Sequence, residues 1–332
     1  MKTPSLALSI VIPVYNGARS IGELVSALAD LAVPGGHEIV LVNDNSPDNS
    51  LDVCRDLLAH TRIPMTLVNL SRNYGEHNAV MAGLRHARGA HIITMDDDLQ
   101  NPPGEVLRLL EYAQSTGKDV VYTHYASKEH ARWRNIGSRF TNRVADWLLD
   151  KPKGLYLSSF RCISAFVAEQ VAHYEGPFPY VDGLILQVTQ SIGALEVQHL
   201  PRAHGRSNYT FRRLVRLWLN MFVNFSVMPL RLATVSGLAI SVCGLAGTLW
   251  VVIDALVHKT PQGWASLSVA VLLLSGVQLM MLGLIGEYLG RLYLTANGKP
   301  QSIVKDVTRN GAAEPLLRQP DDRLGTLVMR HG

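Results

Sequence analysis

An α/β domain with a parallel sheet, followed by a membrane-embedded helical hairpin, is the architecture that this 332-residue sequence predicts. Three observations point to it. Short β-branched runs alternate with amphipathic stretches up to Thr123. Charge nearly vanishes between Leu232 and Ile285, where only Asp254 and Lys259 remain. Three consecutive carboxylates, Asp96-Asp97-Asp98, directly follow one of the apolar runs.

The first run, residues 7–14 (ALSIVIPV), is bounded by the turn-prone Asn16-Gly17 and has the length of a buried strand. A helix over about 18–31 follows, with Ile21, Leu24, Val25, Leu28 and Leu31 at helical spacing. Residues 38–43 (EIVLVN) form a second strand, and a helix near 49–59 comes next. A strand at 66–70, a helix at 77–87, a strand at 91–95, a helix at 103–116 and a strand at 119–123 continue the alternation. Further strands and one helix are expected over 155–200. Strand–helix alternation requires crossover connections, so a Rossmann-like parallel sheet with helices on both faces is expected. Ligands of such sheets bind beyond the carboxyl ends of the strands. Asn16, Asp44 and Asp96 all lie just past a strand end and should converge on one crevice.

Beyond residue 207 the character changes. Residues 208–228 mix Arg212, Arg213 and Arg216 with Trp218, Phe222 and Leu219, the profile of a helix lying in a membrane interface. Leu232–Ile253 and Trp264–Ile285 are uncharged and long enough to cross a hydrocarbon core, which predicts spans over about 232–256 and 264–286. Arg231 and Arg291 flank the outer ends, whereas the connector holds only Lys259. The positive-inside rule then places the α/β domain and both termini in the cytoplasm. Gly237, Gly244, Gly247, Gly276 and Gly283 would permit close helix packing, including between protomers. The expected division is a catalytic domain at 1–207, an interfacial helix at 208–228, two spans within 229–295, and a polar tail at 296–332 that is disordered.

The net charge of +4 does not by itself separate nucleic acid from membrane or phosphate partners. The basic residues Arg202, Arg206, Arg212, Arg213, Arg216 and Arg231 precede the apolar tract, which suits anionic headgroups. No nucleic-acid recognition motif accompanies them, so no nucleic-acid partner is expected. Cys54, Cys162 and Cys243 are far apart and lack metal-ligand spacing, which argues for a reducing compartment.

The acidic run carries the chemistry. Carboxylates at alternate positions past a strand end, Asp96 and Asp98, can bind one hard divalent cation, with a diphosphate completing its shell. The cation would neutralise charge on a departing nucleoside diphosphate. Without one, three adjacent carboxylates repel. Asp44 could accept hydrogen bonds from a base or ribose, or it could cap a turn, as could Ser46 and Asp48. No Gly-rich turn follows the first strand (PVYNGARS), which speaks against a dinucleotide-binding oxidoreductase.

In order, IVIPVYN, VNDNSPDNS, LSRNYGEHNAVMAG and TMDDDLQNPP resemble glycosyltransferase family 2. The continuation is RWRNIGSRFTNR, RAHGRSNYTF, the double span and GLIGEYLGRLY. It is similar to the polyprenyl-phosphate branch, which includes dolichol-phosphate mannose synthase and the undecaprenyl-phosphate glucosyl- and aminoarabinosyl-transferases. The resemblance covers about residues 7–300. It implies a GT-A fold and an inverting transfer from a nucleotide-sugar, UDP-linked before GDP-linked, to polyprenyl phosphate. It further implies Mg²⁺ or Mn²⁺, a bacterial inner-membrane location, a dimer or tetramer, and a product used on a cell-surface glycan or lipopolysaccharide. A processive polysaccharide synthase, which would need more spans, and a non-catalytic scaffold are the alternatives.

By that resemblance Pro13, Tyr15 and Asp44 cradle the base and ribose, and Asp96 and Asp98 hold the metal. Gln100 lies by the donor diphosphate or acceptor phosphate. Arg134 and Ser138 bind the acceptor phosphate, and Arg202, Gly205 and Ser207 belong to a loop closing over the donor. Asp98, Gln100 and Arg134 are the catalytic candidates. The chain departs from the pattern at four places. Gly17 replaces a frequent acid, and Tyr125 replaces a second acceptor arginine, with Lys128 as a stand-in. Leu155 replaces an aspartate before Ser159-Phe160-Arg161, and Asn208 replaces a lysine. The missing aspartate is tolerable because a phosphate monoester, with a second pKa of about 6, is already ionised and needs no general base.

Overall fold

In a computed structural model of the protein, the described residues are 6–125, 155–198, 200 and 264–310, with scattered positions between 235 and 253. The five apolar runs become β1 Leu6–Val14, β2 His37–Asn43, β3 Met65–Leu70, β4 Gly89–Thr94 and β5 Val120–Tyr125. The helices between them are α1 Ile21–Ala29, α2 Ser50–His60, α3 Glu76–Leu84 and α4 Pro103–Thr116. Beyond these lie β6 Arg161–Ser164, α5 Ala165–Ala172, α6 Val181–Val188 and β7 Ile192–Val197. The region expected to hold one helix therefore holds two. The helix α7 Trp264–Ala296 and the strand β8 Val304–Arg309 complete the described elements.

The eight strands form one sheet in the order β7-β5-β6-β4-β1-β2-β3-β8. β4, β1, β2 and β3 are parallel, as expected from the crossovers. The sheet as a whole is mixed, which corrects the purely parallel expectation. The short β6 inserts between β4 and β5 and runs antiparallel to both. Its pairing partners lie far upstream, so the local alternation of strand and helix carries no sign of it.

Each face of the sheet has its own core. α1, α2 and α4 turn Ile21, Leu24, Val25, Leu28, Cys54, Leu58, Val106 and Leu109 onto one face. α3, α5 and α6 cover the other with Val80, Leu84, Val167, Val171, Val181 and Ile185. Helix α3 lies unusually close to β1, because a Cβ at Gly83 would stand 2.4 Å from Val11 Cγ1. At the amino end of the strands the fully buried Glu38 is held by Arg88 Nε at 2.8 Å and by the Ser9 hydroxyl at 2.7 Å. A buried carboxylate requires that kind of pairing.

The tail departs from expectation. Residues 304–309 are not irregular: β8 pairs antiparallel with β3, matching Asn69 to Asp306 and Thr66 to Arg309. Val304 and Val307 pack on the second core. VKDVTR is too short and polar to announce a strand. Its order comes from covering the edge that β3 would otherwise expose.

α7 spans 33 residues and runs past the expected end at 286. Its sequence carries no Asp, Glu, Lys or Arg from Trp264 to Ile285. Counting only residues whose side chains are described, no helix is long and apolar enough to cross a membrane. Leu267, Val271, Leu274, Leu279, Leu282 and Ile285 of α7 are exposed. The segment 208–228 and most of 232–256 lie outside the described residues.

Candidate active site

Three loops meet at the carboxyl ends of β1, β2 and β4. Among the described residues, the non-glycine positions with positive φ are Asn16 (58°), Asn45 (49°) and Leu99 (61°), one in each loop. For Leu99 that conformation is strained, on the order of 1–3 kcal/mol, and such strain gathers at functional sites.

Asp97 joins the β4 loop to the β1 loop, its Oδ2 accepting from the Tyr15 backbone N–H at 3.3 Å. A Cβ at residue 17 would lie 2.2 Å from the same oxygen. Gly17, one of the departures from the family pattern, thus makes room for the Asp97 carboxylate.

Asp44 is buried and bonds outward in two directions. Its N–H donates to Val14 O at 3.0 Å. Its two carboxylate oxygens accept from the backbone N–H groups of Tyr74 (2.7 Å) and Gly75 (2.8 Å) at the start of α3. These bonds aim a carboxylate at the N-terminus of α3, thirty residues on, and not at the local turn whose capping the sequence left open. Burial raises the Asp44 pKa against the lowering effect of those two bonds.

The neighbouring acids are held from different sides. Asp96 Oδ2 accepts from the Ser159 hydroxyl at 2.8 Å, and the Thr94 hydroxyl fixes Ser159 O at 2.6 Å. Asp98 Oδ1 accepts from the Gln100 N–H at 3.2 Å. Gln100 in turn pairs with Leu200, whose N–H donates to Gln100 O at 2.8 Å. The Gln100 amide Nε2 donates to Leu200 O at 3.3 Å. Leu200 leads into the segment bearing Arg202 and Ser207. Those two residues, like Lys128, Arg134 and Ser138, lie outside the described residues. Tyr15 is exposed, and Pro13 is half-buried beside it.

Residues 9–170 match the model for glycosyl transferase family 2, and residues 228–292 match that for the GtrB C-terminal hairpin. The undecaprenyl-phosphate 4-deoxy-4-formamido-L-arabinose transferase of Enterobacter sp. (strain 638) is 33% identical over 92% of this chain and 94% of its own. The protein of the same name from Edwardsiella ictaluri is 30% identical over 95% and 96%. The chain belongs to glycosyl transferase family 2. Among solved structures, glucosyl-3-phosphoglycerate synthase from Mycobacterium tuberculosis is similar at a TM-score of 0.49 and 15% identity, covering 66% of this chain and 78% of that one.

Behind its acid loop this family 2 transferase carries a buried polar network that the sequence reading missed. Arg161 on β6 ion-pairs with Asp182 on α6, and the Tyr122 hydroxyl donates to the same Asp182 oxygen at 3.0 Å. His77 packs edge-on against Tyr180 at 5.1 Å, and burial pushes its pKa down to about 4. The signal was present, since an arginine in an apolar strand needs a buried partner. The partner's identity was not. Arg161 Nη1 also donates to Ser158 O at 3.4 Å, one residue before the Ser159 that bonds Asp96. Tyr125 points its hydroxyl at the buried Asn101 (3.3 Å), and Leu155 packs on the second core.

Among the described residues, no three His, Cys, Asp or Glu side chains gather as a metal site. The acid loop of the transferase offers two alternate carboxylates, which suits a cation whose other positions go to water and a substrate diphosphate. Burial, reinforced by Asp96 and Asp98, pushes the Asp97 carboxyl up to about 7, a crowding that a cation would relieve. In the metal-free protein the folded pKa lies above the unfolded one. The stabilisation from Asp97 is therefore complete below pH 3.8 and disappears as pH rises through about 7. Thermal melting in chelator across pH 4–8 should show that decline, and Asp97→Asn should flatten it. An unchanged slope in Asp97→Asn would rule out Asp97 as its source.

Proposed function

We propose that this transferase moves a sugar from a nucleotide-sugar, UDP-linked by preference, to polyprenyl phosphate, which is undecaprenyl phosphate in a bacterium. The observation behind the reading is that the β1, β2 and β4 loops lie side by side, the Tyr15 N–H bonding Asp97 and the Asp44 N–H bonding Val14 O, at the strand ends where a nucleotide-sugar would bind. The names of the relatives, which act on undecaprenyl phosphate, support the acceptor.

Pro13 and Tyr15 would receive the base, and Asp44 would use its remaining lone pairs toward base or ribose. Asp96 and Asp98 would hold Mg²⁺ or Mn²⁺, which when bound offsets the charge of the departing diphosphate. Ser159 orients Asp96 for that task. Gln100, with Arg202 and Ser207, would hold the donor diphosphate. Arg134, Ser138 and Lys128 would hold the acceptor phosphate, an anion suited to the arginine fork. An ionised phosphate oxygen attacks the anomeric carbon, the bond from that carbon to the diphosphate oxygen breaks, and the configuration inverts. The chain supplies alignment and charge stabilisation and needs no base.

The acceptor's tail places the reaction at a bilayer. The exposed apolar side chains of α7 and the hairpin match over 228–292 support two spans, and Arg231 and Arg291 at their outer ends favour a catalytic domain on the cytoplasmic side of the inner membrane. A dimer or tetramer through the spans and a product destined for lipopolysaccharide complete the proposal.

The test is transfer in detergent micelles with undecaprenyl phosphate, either cation and a panel of UDP- and GDP-sugars. Lipid-linked sugar scored by mass spectrometry should form from one donor and disappear with chelator. No product from any donor, together with no nucleotide binding, would transfer the case to a non-catalytic scaffold.

A further inference from the structure

The strand β8 reaches the loop that carries Asp44 through a polar ladder. Asn43, Asn69 and Asp306 are cross-strand neighbours in one row of β2, β3 and β8, directly before Asp44. Asp306 Oδ2 accepts from Asn69 Nδ2 at 2.9 Å. Asn69 Oδ1 accepts from Asn43 Nδ2 at 2.9 Å. Asn43 Oδ1 accepts from the Ser46 N–H at 3.3 Å. The Ser46 hydroxyl donates to Val14 O at 3.2 Å and accepts from the Asn16 N–H at 3.4 Å. Thus one line of hydrogen bonds runs from the C-terminal strand to the β1 and β2 loops of the crevice.

Both ends of the ladder fix its direction. A carboxylate only accepts, so Asp306 obliges Asn69 to present its NH₂ group. A backbone N–H only donates, so Ser46 obliges Asn43 to present its oxygen. Asn43 and Asn69 are 1% and 3% exposed, too buried for water to replace a missing partner. Asp306 itself is placed by contacts of the residues just before β8. The Ser71 N–H donates to Ile303 O at 2.9 Å. Gln301 accepts from Arg85 Nη2 at 2.9 Å and donates to Gly176 O at 3.1 Å.

We propose that Asp306 is a positioning residue of the nucleotide site, acting through Asn69 and Asn43 on the loop that carries Asp44. The C-terminal strand is then part of the donor-binding shelf, although it follows the apolar helix α7 and lies more than two hundred residues from the loops it braces. This rests on the reading of the crevice as a nucleotide-sugar site.

The experiment uses the full chain in detergent and titrates UDP and GDP with Mn²⁺ by calorimetry. Donor KM and kcat are measured in the transfer assay, and melting is recorded in parallel. Asp306→Ala should weaken nucleotide binding and raise donor KM by about tenfold, with kcat at saturating donor unchanged. Asp306→Asn keeps an acceptor oxygen at the same point and should bind as wild type does. Asp306→Ser, too short to reach Asn69, should repeat the loss if the alanine variant is not recovered folded. Val304→Ala loosens the docking of β8 without touching the ladder and should lower the melting temperature while leaving nucleotide affinity alone. Wild-type affinity in folded Asp306→Ala or Asp306→Ser overturns the proposal. So does a loss in Val304→Ala equal to theirs, which would make any loosening of β8 sufficient. A wild-type chain that binds neither nucleotide overturns the nucleotide-site reading itself.

Discussion

Asp98→Ala is expected to cut transfer by about a thousandfold and leave the fold intact. Among its bonds, Asp98 accepts from Gln100 two residues on, so its removal disturbs the local loop more than the sheet. Chemically the loss is large. If Asp96 and Asp98 hold a cation as proposed, deleting one halves the protein's share of its coordination shell. In the proposed reaction the nucleophile arrives ionised, so stabilising charge on the leaving group is the main contribution asked of the site. The measurement is kcat/KM for lipid-linked product, with manganese binding followed separately by electron paramagnetic resonance. A variant within tenfold of wild type would remove Asp98 from the proposed metal pair. Asp96 differs in kind: the Ser159 bond at 2.8 Å ties it to β6, so substituting it also perturbs that junction.

Asp182→Ala is expected to destabilise the domain by about 3–5 kcal/mol, the largest folding effect of any single change considered. Arg161 is 3% exposed and would be left as an uncompensated buried charge. The Tyr122 hydroxyl would lose its acceptor at the same time. In the intact network burial holds the Tyr122 phenol well above its usual pKa, so it remains a donor to Asp182. Removing both charges tests the cause. Arg161→Met with Asp182→Leu should recover most of the loss, because neither ion is then stranded. Thermal melting decides it, with a fall of roughly 10 °C or more expected for the single variant. Equal melting for the single and double variants would show that the loss came from packing and not from charge.

How much of this was legible beforehand depends on distance along the chain. β1 to β5 and α1 to α4 were predicted within a few residues, because each is set by its own pattern of apolar positions. The acid loop was legible for the same reason: an apolar strand ending in three carboxylates is a local feature. The gathering of the β1, β2 and β4 loops was expected because ligands of parallel sheets bind past the strand ends, while the strand order β4-β1-β2 came from the structure. The buried pair Arg161–Asp182 was missed, because its two members lie on different elements twenty-one residues apart. Asp44 was ambiguous because its partners, Tyr74 and Gly75, lie thirty residues on.

By itself the sequence determined the α/β class, the parallel central strands, the position of the acidic loop and the apolar tracts, since these depend on local periodicity and composition. Tertiary structure alone decided the rest. It inserted β6 antiparallel between β4 and β5, and it placed Asp97 in the space that Gly17 leaves open. It also ordered residues 304–309, part of a tail expected to be disordered, as β8. Each of these rests on a contact between residues distant in the chain, and such contacts form only when the whole sheet closes.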